Sequence, residues 1–420
     1  MTIELTSRRI LASGWVVFLL YAWPGYLQTD GAEQLAAAAS RKGRFDDWHA
    51  VVMTEIWRMV GRVIAGPAGM LVLQSGLLLL GTYAIVRHLA SERTAAWTAV
   101  AILLFPPLVT TTGLVSAEAQ LAAFFAAGAA GLMSPRRNRR LLGLGALLFG
   151  IGMRDAVALA ALPIVLGLFA WGNTSGWRRR GVAIAAWIAI ALGAFGLERL
   201  LVNKHTLQPE ERLAKNDIIN ILRNAPPIGD ARLHELLAGT PLVATIDIQE
   251  PIFRGDTSLP ERKALIAARR ALIREQPAAW LAHRGRRLHA ELGLPPSREW
   301  PALYTSFVDS PEQARDIAHW SQHSFVQRVL IAPVRWLSET PLFRPYVYAI
   351  LALVLLALAI AWRQRVAAIV LASGIVYELS VGWFSVRPAY RHSHWMIVAT
   401  VLAAALLVIH RARTDEKPGV

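Results

Sequence analysis

The stretch Ile10-Leu11-Ala12-Ser13-Gly14-Trp15-Val16-Val17-Phe18-Leu19-Leu20-Tyr21-Ala22-Trp23-Pro24-Gly25-Tyr26-Leu27 carries no charge and is followed by Gln28-Thr29-Asp30. A helix needs roughly 20 apolar residues, within a range of about 17–25, to cross the hydrocarbon of a bilayer. This run has that length. It lacks a small-residue cleavage pattern, so it reads as a signal anchor and not a removable leader. Asp30 then falls at the bilayer boundary beside a Pro-Gly break. Charge is costly at that depth and is commonly kept for a task.

Further runs of the same kind follow. Candidate spans are 10–27, 68–86, 95–111, 117–133, 141–152, 156–172, 181–200, 343–362, 366–384 and 394–410. The pair 141–152 and 156–172 is short, as in a tilted or partly re-entrant hairpin. The 420 residues are 55% hydrophobic and 17% charged, with a mean hydropathy of +0.39. That is too apolar for an ordinary soluble domain. The expected fold is an all-α polytopic membrane protein with about ten transmembrane helices. There is no cysteine, so disulfides play no part.

The net charge of +15 sits in short clusters, among them Arg8-Arg9, Arg87 with Arg93, Arg136 to Arg140, Arg178-Arg179-Arg180, Arg363 with Arg365, and Arg411 with Arg413. Each cluster abuts an apolar run, and they fall after alternate spans. This is the positive-inside pattern. It argues against nucleic acid as a partner, makes the clusters solvated cytoplasmic anchors, and puts both termini in the cytoplasm.

Opposite the clusters lie the outer segments: 28–66, the turn near Thr110 to Ala117, the turn Gly152-Met153-Arg154-Asp155, the long 203–340, and 386–393. The expected domains are 1–202 with its first external loop, a mainly helical extracytoplasmic domain over 203–340, and a C-terminal module over 341–420. In the middle domain, Leu259 to Arg274 and Pro277 to Leu292 read as helices, with Pro277 in a first turn. His283, Arg284, Arg286, Arg287 and His289 lie on the second helix. A solvated face is the expectation for them, with contact to phosphorylated lipid or anionic glycan as the competing one. Trp280, Trp300, Trp320 and Trp336 suit either the membrane interface or a small core.

In the first external loop, Gly31 to Ala39 is a good helix sequence, and Asp30 at its start is either a helix cap or a working carboxylate. Val51 to Val63 reads as a second, amphipathic helix on the membrane surface. Asp46-Asp47 with His49 suits a hard ion by residue type. Neighbouring side chains on a regular element point apart, so no metal and no cofactor is expected, a divalent ion being open but not favoured. Arg154 and Asp155 lie between two apolar spans, where an ionisable residue is a functional candidate by default; an Arg154–Glu118 salt bridge is the structural alternative. Arg387 and Arg391 lie on the last outer turn beside Tyr390, His392 and His394. There a phosphate clamp competes with headgroup snorkelling. Glu378, inside the ninth span, is left between an arginine partner and a cavity lining.

The run Pro24-Gly25, Asp30, Gln34, Ala37, Phe45 and Asp47-Trp48-His49 resembles the first loop of bacterial integral-membrane glycosyltransferases of the GT-C superfamily. Those show a Pro-Gly, an Asp, an Ala-rich helix, a Gly and an Asp-Trp-His-Pro box; here Ala50 replaces the last Pro. Val115-Ser116-Ala117-Glu118 stands where the group often has Lys-Asp. Asn216-Asp217-Ile218-Ile219, Pro277 to Arg284, and Ala389-Tyr390-Arg391-His392 resemble its later motifs.

The resemblance implies an inverting sugar transfer from a polyprenyl-phosphate donor to an acceptor hydroxyl on a lipid, glycan or protein. The place would be the external face of a bacterial cytoplasmic membrane. It implies Asp30 as general base, with Asp47 the second choice and His49 orienting a carboxylate or the sugar. Arg154, Arg387 and Arg391 would hold the donor phosphate, and Asp46, Glu118, Asp155, Tyr390 and His392 would contact substrate. A polysaccharide polymerase or ligase using polyprenyl-diphosphate glycans, and a lipid-linked sugar flippase, are the alternatives.

Overall fold

The computed structural model describes residues 6–40, 49–170, 175–202, 208–226, 228–242, 257–294, 302–305 and 323–415, the side chains of Asp155, Gln208 and Pro209 excepted. The helices in chain order are α1 (Ser7–Ala22), α2 (Thr29–Ala39), α3 (Val51–Gly61), α4 (Ala68–Arg87), α5 (Glu92–Leu103), α6 (Pro106–Gly113), α7 (Ala117–Leu132), α8 (Arg137–Gly152) and α9 (Ala158–Leu168). There follow α10 (Gly176–Leu201), α11 (Gln208–Asn224), α12 (Asp230–Leu237), α13 (Leu259–Glu275), α14 (Pro277–Glu291), α15 (Phe325–Ser338), α16 (Pro345–Ala361), α17 (Arg365–Phe384) and α18 (His394–Asp415). Short 3₁₀ turns occupy Asp155–Val157, Pro341–Phe343 and Tyr390–Ser393. A lone parallel bridge between Tyr26 and Leu114 is the one extended pairing among the described residues.

Among the described residues, α4, α10, α17 and the run Tyr390–Asp415 are long and apolar enough to cross a membrane. Helices α7, α9 and α16 are shorter apolar helices. The fold is all-α and polytopic as expected; four or five spans are full-length by this measure, and the shorter apolar helices come in addition to them. The expected span 95–111 is two helices, α5 and α6, bent by 69°. Pro106 and Pro107 lie at the break: a proline drives the preceding residue out of helical geometry and suits the first turn of the next helix.

Large apolar side chains face outward along α1, α10 and α16, among them Val16, Leu20, Ile188, Leu192, Ile350, Leu353 and Ile360. In water such a belt would be unstable; in lipid it is the ordinary exterior, with every backbone group satisfied inside its own helix. Between helices the contact is close. A Cβ built on Gly81 of α4 would sit 2.7 Å from the carbonyl carbon of Ala126 in α7. One on Gly131 of α7 would sit 2.7 Å from the Cα of Gly143 in α8. Small residues let these backbones meet, which is how apolar helices gain packing energy in lipid.

Helices α11 to α14 pack around a small core of their own, with Ile218, Ile221, Leu265 and Leu272 buried. Trp280 of α14 meets Trp383 of α17 edge to face, with ring centroids 5.3 Å apart. Trp336 is exposed, and Trp300 and Trp320 lie outside the described residues.

Candidate functional site

The site begins with a backbone event. Pro24 and Gly25 end the apolar run, and Gly25 takes a φ of 116°, which favours glycine. The Tyr26 amide then donates to Gly113 O at 2.9 Å, and the Val115 amide to Tyr26 O at 2.9 Å. Gln74 Nε2 of α4 donates to Thr112 O at 2.6 Å and Leu114 O at 2.8 Å. Gln120 Nε2 donates to Gln74 Oε1 at 3.0 Å. These buried polar contacts lock the entry to α2 beside the entry to α7. Asp30 and Glu118 follow, each in the first turn of its helix. Ser116 caps α7, accepting from the Ala119 amide, and the unpaired amides of that first turn favour a carboxylate there.

The 3₁₀ turn Tyr390–Ser393 delivers the opposite charge. Arg391 donates from Nη2 to Asp30 Oδ2 at 2.6 Å and from Nη1 to Gln28 Oε1 at 2.6 Å. Its Nε lies 3.8 Å from Glu118 Oε2. Its backbone amide donates to the Tyr304 hydroxyl at 3.0 Å. Burial pushes that hydroxyl's pKa up, so it stays neutral. Glu118 is buried and also takes Arg154 Nη1 at 3.0 Å and His392 Nε2 at 3.6 Å. His392 Nδ1 pairs with Glu291 Oε1 at 3.0 Å. Ser393 Oγ donates to Glu378 Oε1 at 2.8 Å, and the carboxyl of the ninth expected span also lies in the field of Arg154. Buried charges are tolerable only when paired and hydrogen-bonded in this way.

The structure therefore brings Asp30, Glu118, Arg154, Arg391 and His392 together. The Asp30 side chain is 58% exposed while Glu118 is 8% exposed, so the two carboxylates differ in access. The Arg154–Glu118 bridge is the structural alternative weighed above, and it is formed. His49 pairs with Glu33 at 2.9 Å. Tyr390 turns inward: its ring stacks on Phe343, and its hydroxyl donates to Pro107 O at 3.1 Å. Arg387 is exposed. Asp46 and Asp47 lie outside the described residues, as does the Asp155 side chain. Among the described residues no group of three or more His, Asp or Glu stands ready for a metal ion.

One expectation changes. His283 and Arg284 do not form a solvated face; both are buried. Arg284 Nη2 bonds Asp217, Arg269 Nε bonds Asp217 Oδ2 at 2.5 Å, and His283 Nε2 reaches Asn216 Oδ1 at 3.1 Å. Arg284 Nη1 also donates to Ser385 O at 3.3 Å, tying α14 to the end of α17. Burial alone would raise the Asp217 carboxyl, but His283 and the guanidiniums bring it down to about 2.

Gln28, Tyr304, Glu291 and Arg212 escape a sequence reading. Arg212 of α11 lies in the field of Asp30, Glu33 and Glu211. Partial burial and Arg387 still hold its pKa below the usual arginine value. Glu291 sits among basic neighbours on its helix, and only the fold reveals its histidine partner.

No family model and no curated protein sequence matches the chain. Two solved structures resemble it weakly. The crystal structure of ArnT from Cupriavidus metallidurans in the apo state has a TM-score of 0.33 and 14% identity over 97% of this chain and 78% of that one. The crystal structure of the same protein bound to undecaprenyl phosphate has a TM-score of 0.30 and 16% identity over the same shares. Scores of this size leave the site to be read from its own residues.

Proposed function

We propose that the chain is a membrane glycosyltransferase of the GT-C kind. It moves a sugar from a polyprenyl-phosphate donor to an acceptor hydroxyl, with inversion, at the external face of a bacterial cytoplasmic membrane. The observation that carries the reading is the Asp30–Arg391 pair: an accessible carboxylate held by a guanidinium that also bonds Gln28 and faces the buried Glu118, at one end of a lipid-belted bundle.

In this reading the acceptor oxygen attacks the anomeric carbon as its proton passes to Asp30. A carboxylate accepts at two oxygens, so the bond to Arg391 leaves acceptor capacity. General base help of this kind is worth about 10²–10⁴ in rate. The bond from the anomeric carbon to the phosphate oxygen breaks, and the phosphate leaves with the electron pair. Arg391 and Arg154 are fixed by Glu118 where that charge develops, so little reorganisation is needed. Arg387 and His49 are assigned to the outer rim, toward donor phosphate and acceptor. No cofactor enters.

The test is to incubate the purified protein with a panel of polyprenyl-phosphate sugars and measure released polyprenyl phosphate. One donor should be consumed, and Asp30→Asn should lose at least about 100-fold in rate. Full activity of Asp30→Asn, with turnover only of diphosphate-linked glycans, would replace this reading with a polymerase or ligase.

A further inference from the structure

At the end of the bundle away from Asp30 lies a cavity of about 320 Å³, lined by His88, Ser134, Arg140, Arg179, Arg365 and the last residues of α9. Helices α7 and α8 link the two ends: α7 carries Glu118 in its first turn and finishes at Leu132 on the cavity wall. That span of helix is about 20 Å long at 1.5 Å per residue. The cavity is open on one side and far larger than one water molecule needs. It sits at the small end of the range for ligand pockets, about 300–1,000 Å³.

The walls are cationic. Arg365 Nη2 donates to Gly167 O at 2.7 Å, and Arg179 Nη2 donates to the same oxygen at 3.2 Å. Two guanidiniums thus converge on one neutral carbonyl. Arg179 Nε donates to Phe169 O at 3.3 Å, and Arg140 Nη1 donates to Ala170 O. The carbonyls at the end of α9 carry only partial negative charge. Among the described residues no Asp or Glu lines the cavity. Each guanidinium has five donors, more than these contacts use, and Arg140 Nε is buried with no acceptor. Leu132, Met133 and Leu168 supply an apolar wall beside the cations. Helix capping alone calls for one such arginine, not three around a void.

We propose that this cavity binds a phosphate group, brought by an anionic phospholipid headgroup or as the free ion, on Arg140, Arg179, Arg365 and His88. The arginine clusters place it at the cytoplasmic leaflet, where anionic headgroups are abundant and basic pockets between helices hold them. The site is independent of the sugar-transfer reading.

Purified full-length protein in detergent is titrated with dioleoylphosphatidylglycerol, with dioleoylphosphatidylcholine and with inorganic phosphate. Retention is read by native mass spectrometry and thermal unfolding. Phosphatidylglycerol should be retained and raise the midpoint by several degrees, and phosphatidylcholine should not. Arg365→Gln should cut retention at least tenfold. Because Arg365 also bonds α9, His88→Glu is the second variant; it puts a carboxylate into the cavity without touching those bonds and should abolish retention. A shift given fully by millimolar phosphate, with none added by the lipid, identifies the free ion and upholds the site. Equal retention of the two lipids, no response to phosphatidylglycerol or phosphate, or retention by His88→Glu equal to wild type overturns it.

Discussion

Asp30 and Arg391 stand 361 residues apart in the chain and 2.6 Å apart in space. The pair closes one end of the bundle by joining α2 to the turn before α18. Because Arg391 also holds Gln28 and faces Glu118, it sets the position of the exposed carboxylate from the buried one.

Replacing Arg391 by Lys tests that geometry apart from charge. An ammonium is a point donor and cannot reach Asp30 and Gln28 together in a planar fork. The variant should fold, with a thermal midpoint within a few degrees of wild type. Release of polyprenyl phosphate should fall about 100-fold, the scale of loss expected when a reacting group is misplaced by about 1 Å.

Glu118→Gln addresses stability. The carboxylate is buried and serves Arg154, Arg391 and His392. Its loss leaves Arg154 without its carboxylate and Arg391 with Asp30 alone, at a cost of up to about 3 kcal/mol, the lower end for a broken buried pair. Denaturation in mixed detergent micelles checks the value. The double variant Glu118→Gln, Arg154→Met should recover part of it.

The helix crossings predict a contrast between glycines. Gly81→Leu drives a side chain into the Ala126 backbone, which has no room to give, and should cost at least about 1–3 kcal/mol. Gly145, helical and with nothing within 4 Å of an added Cβ, should accept Ala with a gain of up to about 1 kcal/mol. Thermal midpoints of the two variants are the comparison.

Asp217 predicts a pH dependence for the outer helices. An unfolded aspartate titrates near 3.9, whereas folded Asp217 titrates at about 2. As pH falls, the unfolded chain takes up the proton first. The contribution, roughly 2–3 kcal/mol, is present above about pH 4 and is lost between about pH 4 and 2. Amide exchange in α11 and α14 should be flat from pH 7 to 5, after correction for intrinsic rates, and rise below 4. Asp217→Asn should be less protected at pH 7 and converge with wild type near pH 2.

The helical, polytopic character was legible because lipid imposes a rule that the sequence must obey locally: apolar length, with charge at the ends. The break at Pro106 was legible too, had the two prolines been weighed against the apolar run around them. Asp30 was visible from its place behind the first span. Its partner was only one of several exposed-looking arginines, since nothing local ties residue 391 to residue 30. His283 and Arg284 misled for the same reason. Charge on a helix reads as solvated until a carboxylate arrives from elsewhere, here Asp217, 67 residues before Arg284. Glu291 and Tyr304 are recognisable only through His392 and Arg391.

The lone bridge between Tyr26 and Leu114 works through main-chain atoms, so it is indifferent to which side chains stand at those two positions. It behaves as a ruler. What the chain must keep is the count of residues from 26 to 30 and from 114 to 118. One residue inserted or deleted in either interval would turn a carboxylate by about 100° around its helix and leave the guanidinium reaching for empty space.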